Sequence, residues 1–200
     1  NNSINKSKYL LEIVFINDGS KDSTLSLLIE NFSKYNNIHI VDFSRNFGKE
    51  NALFAGLSYA KGDIVIPIDV DLQDPLIVIS EMLTKYEEGF DVVLAKRIDR
   101  NSDSFLKRIS ANLFYDLYNS LVDVKLESNV GDFRLMDKQV VEEILKLKEN
   151  QLFMKGLFNW VGFKTTIVEY TREERIAGST KFNFLKLFKL ALDGITSFSN

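Results

Sequence analysis

Three aspartates and a glutamine crowd into nine residues, PIDVDLQDP (67–75), directly after the apolar run GDIVI. Asp69 and Asp71 are two apart, so where a strand ends both carboxylates can turn toward one side of the loop. Two like charges that close repel unless a cation joins them. Hard divalent ions such as Mg²⁺ or Mn²⁺ take oxygen ligands, often one or two carboxylates completed by substrate phosphates. Gln73 adds a neutral oxygen at the next alternate position, and Asp74, before Pro75, stands where a helix cap would. By residue type alone, a solvated and capped strand-to-helix turn accounts for the stretch as well. A place at the rim of a parallel sheet favours the metal reading.

Other stretches pose the same choice. In INDGS (16–20), Asp-Gly after a strand is a turn signal. Its functional reading has Asp18 accepting from a base or ribose while Gly19 permits close backbone approach. SRNFGKE (44–50) is either a loop with a helix cap or a wall for a bound nucleotide. Asp132, in GDFRL (131–135), is either a working carboxylate or the loop partner of Arg134. TREER brings Arg172 and Arg175 together shortly before Lys181. Such a run suits a solvated face, but guanidinium groups also capture phosphate in bidentate fashion, and that reading is favoured here.

These residues need a scaffold, and the chain supplies one. LEIVFI (11–16), IHIVDF (38–43), DIVIPI (63–68) and DVVLAK (91–96) read as strands. Between them, helical spacing predicts helices over 21–35, 49–62 and 75–89, the first capped by Asp22 or Ser23. Strict β–α alternation implies a doubly wound parallel sheet, with ligands outside the carboxyl ends of its strands. Pro67 belongs near a strand end or at a bulge, because proline removes a ladder donor. Beyond residue 104 the pattern becomes a long amphipathic helix, then a loop through GDFRL into another helix, then a strand within 162–175. The segment 182–198 is apolar almost all round, its polar stripe limited to Lys186, Lys189, Asp193 and Ser197. Seventeen residues with three charges cannot span a bilayer. Such a helix lies in a membrane interface or packs against the domain or a partner subunit.

The totals agree with one domain. The chain has 200 residues, is 45% apolar, carries a net charge of −3 and contains no cysteine. Disulfides and thiolate metal sites are therefore excluded, and bulk charge gives no reason to expect nucleic acid. His39, inside an apolar strand, reads as structural.

Five stretches occur in register: FINDGSKDST, SRNFGKENALFAGL, GDIVIPIDVDLQDP, GDFRLMDKQVV and REERIAGSTKF. Together they resemble the inverting GT-A glycosyltransferases of family 2, in the polyprenyl-phosphate branch that includes dolichyl-phosphate mannose synthases and bacterial bactoprenol glucosyltransferases. GDFRL leans toward the bacterial glucosyltransferases. The resemblance implies a GT-A, Rossmann-like, mostly parallel α/β domain over 11–181, after a disordered-looking lead (1–10) and before an amphipathic interfacial helix (182–200). It implies a hexosyltransferase moving glucose from UDP-glucose to undecaprenyl phosphate with inversion, at the cytoplasmic face of the cell membrane, using Mg²⁺ or Mn²⁺. A homo-oligomer is compatible with the apolar tail.

The same resemblance assigns roles. Asp18, Gly19, Ser20, Gly48 and Asp69 would line the nucleotide sugar. Asp69, Asp71 and Gln73 would hold the metal. Asp132 would be the catalytic carboxylate near the acceptor, the base in the family reading. Arg134, Arg172, Arg175, Ser179 and Lys181 would serve acceptor or phosphate binding, Arg134 by structuring its loop. Two family features are missing from this sequence: an opening strand that ends in a base-binding motif, and membrane-spanning helices after the SFS region. Alternatives are a polysaccharide acceptor, GDP-mannose as donor, and a non-catalytic metal-binding module.

Overall fold

The computed structural model describes residues 8–71, 73–98, 129–147 and 162–171. Its first layer is a parallel pair, β1 (Ile13–Asn17) and β2 (Ile38–Asp42), with Ile13 opposite Ile38 and Asn17 opposite Asp42. Helix α1 (Thr24–Phe32) joins them. Asp22 serves its start, its Oδ1 accepting from the Thr24 backbone N–H at 3.0 Å. Helix α2 (Lys49–Tyr59) leads onward and packs on β1, where a Cβ on Gly56 would sit 3.4 Å from the Ile16 side chain.

The second sheet contains β3 (Ile64–Val65), β4 (Val92–Arg97), β5 (Val130–Asp137) and β6 (Thr165–Tyr170), in the spatial order β3-β5-β4-β6. Helix α3 (Val78–Glu87) precedes β4, and α4 (Lys138–Lys146) follows β5. Strand β6 runs parallel to β4, but β5 runs antiparallel to both of its neighbours. The expected strands keep the parallel sense, β1 with β2 and β3 with β4, within the mostly parallel fold the sequence implied. The insertion of β5 between β3 and β4 makes the second sheet mixed. It also moves GDFRL from a loop into a central strand.

The reason for β5 lies in burial on both faces. Phe133 and Leu135 enter one apolar cluster with Val93 and with Val78 and Met82 of α3. Val130 and Met136 enter the other, with Val92 and Leu94 and with Leu57 of α2 and Ile144 of α4. A strand sandwiched in this way keeps its place although Gly131, Asp132 and Arg134 interrupt its apolar run.

Strand β3 is only two residues long. Its pairing ends at Val65, two residues before Pro67, which cannot donate to a ladder. The chain then leaves the sheet as the Asp69–Asp74 loop. Asp74 does not cap α3; it is buried and accepts the Tyr170 hydroxyl at 2.5 Å, so the loop's far end is fixed to β6. Among the described residues, no helix is long and apolar enough to cross a membrane. The expected helices at 104–122 and 182–198 lie outside the described residues.

Candidate active site

Four chain segments meet at the carboxyl end of β1 and β2, the end of β3, and the start of β5. The first two are tied at their strand ends. The Asn17 side chain, almost wholly buried, donates to Asp42 Oδ1 at 2.7 Å and accepts the Ser20 hydroxyl at 2.5 Å. Ser20 thus serves the turn after β1.

Asp18 organises the loop after β2. Its Oδ1 accepts the Phe47 N–H at 2.7 Å, and its Oδ2 accepts the Gly48 N–H at 3.0 Å and the Asn46 amide at 2.7 Å. The close approach needs Gly19. Its φ is +64°, and a Cβ there would fall 2.3 Å from the Arg45 carbonyl carbon. Gly48, with φ 93° and ψ 160°, makes the turn into α2 in a region that only glycine occupies at ease. Arg45 lies over the Phe47 ring at 4.7 Å, and Phe43 meets that ring edge-on.

This locked loop delivers Lys49, the first residue of α2. Its ammonium lies 2.9 Å from Asp69 Oδ2 and 2.7 Å from Asp132 Oδ2. One cation therefore joins the D-x-D loop to the central strand β5. Burial works against the charge, but the two carboxylates, Asp132 foremost, outweigh it and hold the Lys49 pKa above the ordinary lysine value. Lys49 carries no role in the expectations above. The available signal was a lysine directly after the helix-starting glycine, where a positive charge opposes the helix dipole.

Asp71 turns inward on its own loop, its Oδ1 accepting the Gln73 N–H at 3.2 Å. Among the described residues, no three His, Cys, Asp or Glu side chains converge into a metal-holding group. The oxygen donors of Asp69, Asp71 and Gln73 nevertheless fit a hard divalent ion that draws its remaining ligands from substrate phosphate. A closed protein cage is not what such a site requires.

Arg134 is placed in the core rather than on the rim. Its side chain is buried within β5 and donates from Nη2 to the Gly131 carbonyl at 2.7 Å, bracing the start of the strand that carries Asp132. Burial lowers its pKa to about 10, against the pull of Asp132. His39 lies 3.3 Å from Glu12, at the strand position where a structural role was expected. Arg172, Arg175, Ser179 and Lys181 lie outside the described residues.

The model of Glycosyl transferase family 2 matches residues 1–145, most of the chain. The chain belongs to glycosyl transferase family 2. It is 58% identical over 191 residues to a prophage bactoprenol glucosyl transferase homolog of Escherichia coli K12, covering 96% of this chain and 62% of that protein. It is 57% identical, with the same coverage, to the bactoprenol glucosyl transferase of Shigella phage SfV. The chain thus spans less than two thirds of the length of these family 2 relatives. Among solved structures, it is similar to glucosyl-3-phosphoglycerate synthase of Mycobacterium tuberculosis in complex with Mn²⁺, UDP-glucose and phosphoglyceric acid. That TM-score is 0.52 at 20% identity, covering 92% of this chain and 66% of that one. Residues 1–349 of S. aureus TarS, in complex with UDP, give the same TM-score at 14% identity, with 94% and 56% covered. These likenesses show a GT-A-like α/β fold, as the sequence motifs implied.

Proposed function

We propose that the chain is the catalytic part of a hexosyltransferase that moves glucose from UDP-glucose to undecaprenyl phosphate with inversion. The observation that carries this reading is the meeting of Asp69 and Asp132 on Lys49, which puts the D-x-D loop beside a carboxylate of the central strand. The identity to bactoprenol glucosyl transferases supports the choice of sugar and lipid carrier.

The chemistry follows from charge. When a nucleotide sugar gives up its hexose, the nucleoside diphosphate is the leaving group, and negative charge grows on it as the glycosidic bond breaks. A divalent cation held by Asp71, Asp69 and Gln73 supplies the neutralising charge when bound. The backbone around Asp18, Gly19 and Gly48 shapes the adjoining wall, and this rim is where the nucleoside would lie. The acceptor phosphate oxygen attacks the anomeric carbon from the face opposite the leaving group, which inverts the configuration.

Asp132 has a gentler task than that of a strong base. A phosphate monoester loses its second proton near pH ~6, so the nucleophile is already largely ionised at neutral pH. Asp132, held by Lys49 and carried on a strand braced by Arg134, is suited to orienting the acceptor side of the site or taking a last proton. Arg172, Arg175 and Lys181 are proposed to hold donor or lipid phosphates, at the cytoplasmic face of the membrane.

The test is turnover by the full-length protein in membranes, offered UDP- and GDP-sugars with Mg²⁺ or Mn²⁺ and undecaprenyl phosphate. Glucosyl transfer from UDP-glucose to the lipid is expected, and Asp71→Ala should abolish it in a folded protein. Transfer only to polysaccharide, or donor binding without transfer, would overturn the reading.

A further inference from the structure

Lys49 stands at a costly position. An ammonium at the first residue of a helix faces the positive end of the helix dipole. Its backbone is nevertheless held there by the Asp18 carboxylate, which fixes Phe47 and Gly48. Gly19 admits the Arg45–Asn46 backbone alongside. The payoff is electrostatic. Asp69 and Asp132 come from separate elements and would repel each other if brought together bare. A lysine ammonium is a compact charge with three donors, suited to serving two carboxylates at once.

The two contacts are unequal in setting. The Asp132 side chain is 18% exposed, that of Asp69 is 42% exposed, and the Asp69 contact is the longer one. A competing cation reaches Asp69 more readily than Asp132.

We propose that Lys49 is the internal counter-charge of the Asp69–Asp132 pair, yielding Asp69 to a divalent cation when the donor binds while keeping Asp132 in place. The inference rests on the donor-site reading above for its metal ligands. Before the donor arrives, the ammonium repels a second cation at Asp69, so metal binds weakly. The donor diphosphate brings the negative charge that lets both cations share the site. Lys49 is thus a positioning residue for Asp132 and a brake on metal binding without substrate.

The experiment compares wild type, Lys49→Met and Lys49→Arg in the same chain. Mn²⁺ binding isotherms are measured by electron paramagnetic resonance without donor, and thermal melts check the fold. Lys49→Met should bind Mn²⁺ about tenfold more tightly than wild type, because one repelling charge near the metal is gone. Lys49→Arg, which keeps the charge, should bind within about twofold of wild type. In the full-length enzyme, Lys49→Met should lower kcat about 100-fold through misplacement of Asp132, with KM for UDP-glucose little changed. Unchanged or weaker Mn²⁺ binding by folded Lys49→Met overturns the proposal, as does a lack of Mn²⁺ binding by every variant. Tighter binding in Lys49→Met, together with a wild type that transfers no sugar, would sink the glucosyltransferase reading and leave the counter-charge role standing.

Discussion

The Asp18 carboxylate accepts the backbone N–H of Gly48 at 3.0 Å, across a sequence separation of 30 residues. With the Phe47 N–H and the Asn46 amide on the same carboxylate, the turn after β1 dictates where α2 begins. The first residue of that helix is the cation that joins Asp69 and Asp132. The wall of the site and its charge balance are therefore one mechanical unit.

Removing Asp18 should disturb that unit in a measurable way. Asp18→Ala strips the acceptor from two backbone donors and one side-chain amide, and should destabilise the chain by about 2 kcal/mol. Urea denaturation measures this. Because Lys49 then loses its fixed root, Mn²⁺ affinity without donor should change as well. A variant with wild-type stability and wild-type metal binding would show that the loop is held by other contacts.

The two glycines of the unit fail for different reasons. In Gly19→Ala the new Cβ meets the Arg45 backbone at 2.3 Å, and backbone cannot step aside as a flexible side chain can. Clash and left-handed strain together should cost about 3 kcal/mol. At Gly48 nothing lies within 4 Å of the added Cβ, so Gly48→Ala carries backbone strain alone, about 2 kcal/mol. Chemical denaturation should rank the pair in that order.

Much of this architecture is written locally. The apolar runs of β1, β2 and β4 and the helical spacing of α1 to α3 depend on neighbours in sequence, and the D-x-D loop follows from Pro67 and the end of β3. Strand β5 is different. Gly131, Asp132 and Arg134 break its apolar pattern, and only insertion between β3 and β4 makes it a strand. Asp74 shows the same limit: beside Pro75 it has the form of a cap, yet its partner Tyr170 lies 96 residues away. The role of Lys49 is not legible locally, because a lysine in such a motif does not reveal which distant carboxylates fold onto it.

Tyr86 should impose an alkaline limit on stability. Its hydroxyl donates to Asp137 Oδ2 at 2.7 Å, and that bond, with burial behind it, raises the phenol pKa to about 12 from 10. The folded state thus holds the proton more tightly than the unfolded chain. The contribution is whole below pH 10 and is lost as pH rises toward 12. Tyr86→Phe should flatten the fall in stability between these limits, relative to wild type, while leaving the Asp137 cap on α4 intact. Equal slopes for the two proteins, in urea melts at pH 9 and 11.5, would remove Tyr86 from the account.

Tyr170 tests whether the D-x-D loop must be held at both ends. Its hydroxyl binds buried Asp74 at 2.5 Å, and its ring packs edge-on against Phe133 of β5. Tyr170→Phe keeps the ring packing and removes only the donor, so the stability loss should be about 1 to 2 kcal/mol. The functional effect should be larger than that loss suggests. Asp71 and Gln73 sit between the Asp69 and Asp74 anchors, and on the proposed reading freeing one anchor lets their oxygens wander from where a metal would be held. Mn²⁺ affinity in the presence of UDP should therefore fall several-fold at temperatures where the variant is fully folded. If affinity instead stays at the wild-type level while stability drops, the Tyr170 hydroxyl supports the fold alone, and the loop's geometry is set from the β3 end by Asp69 and Lys49.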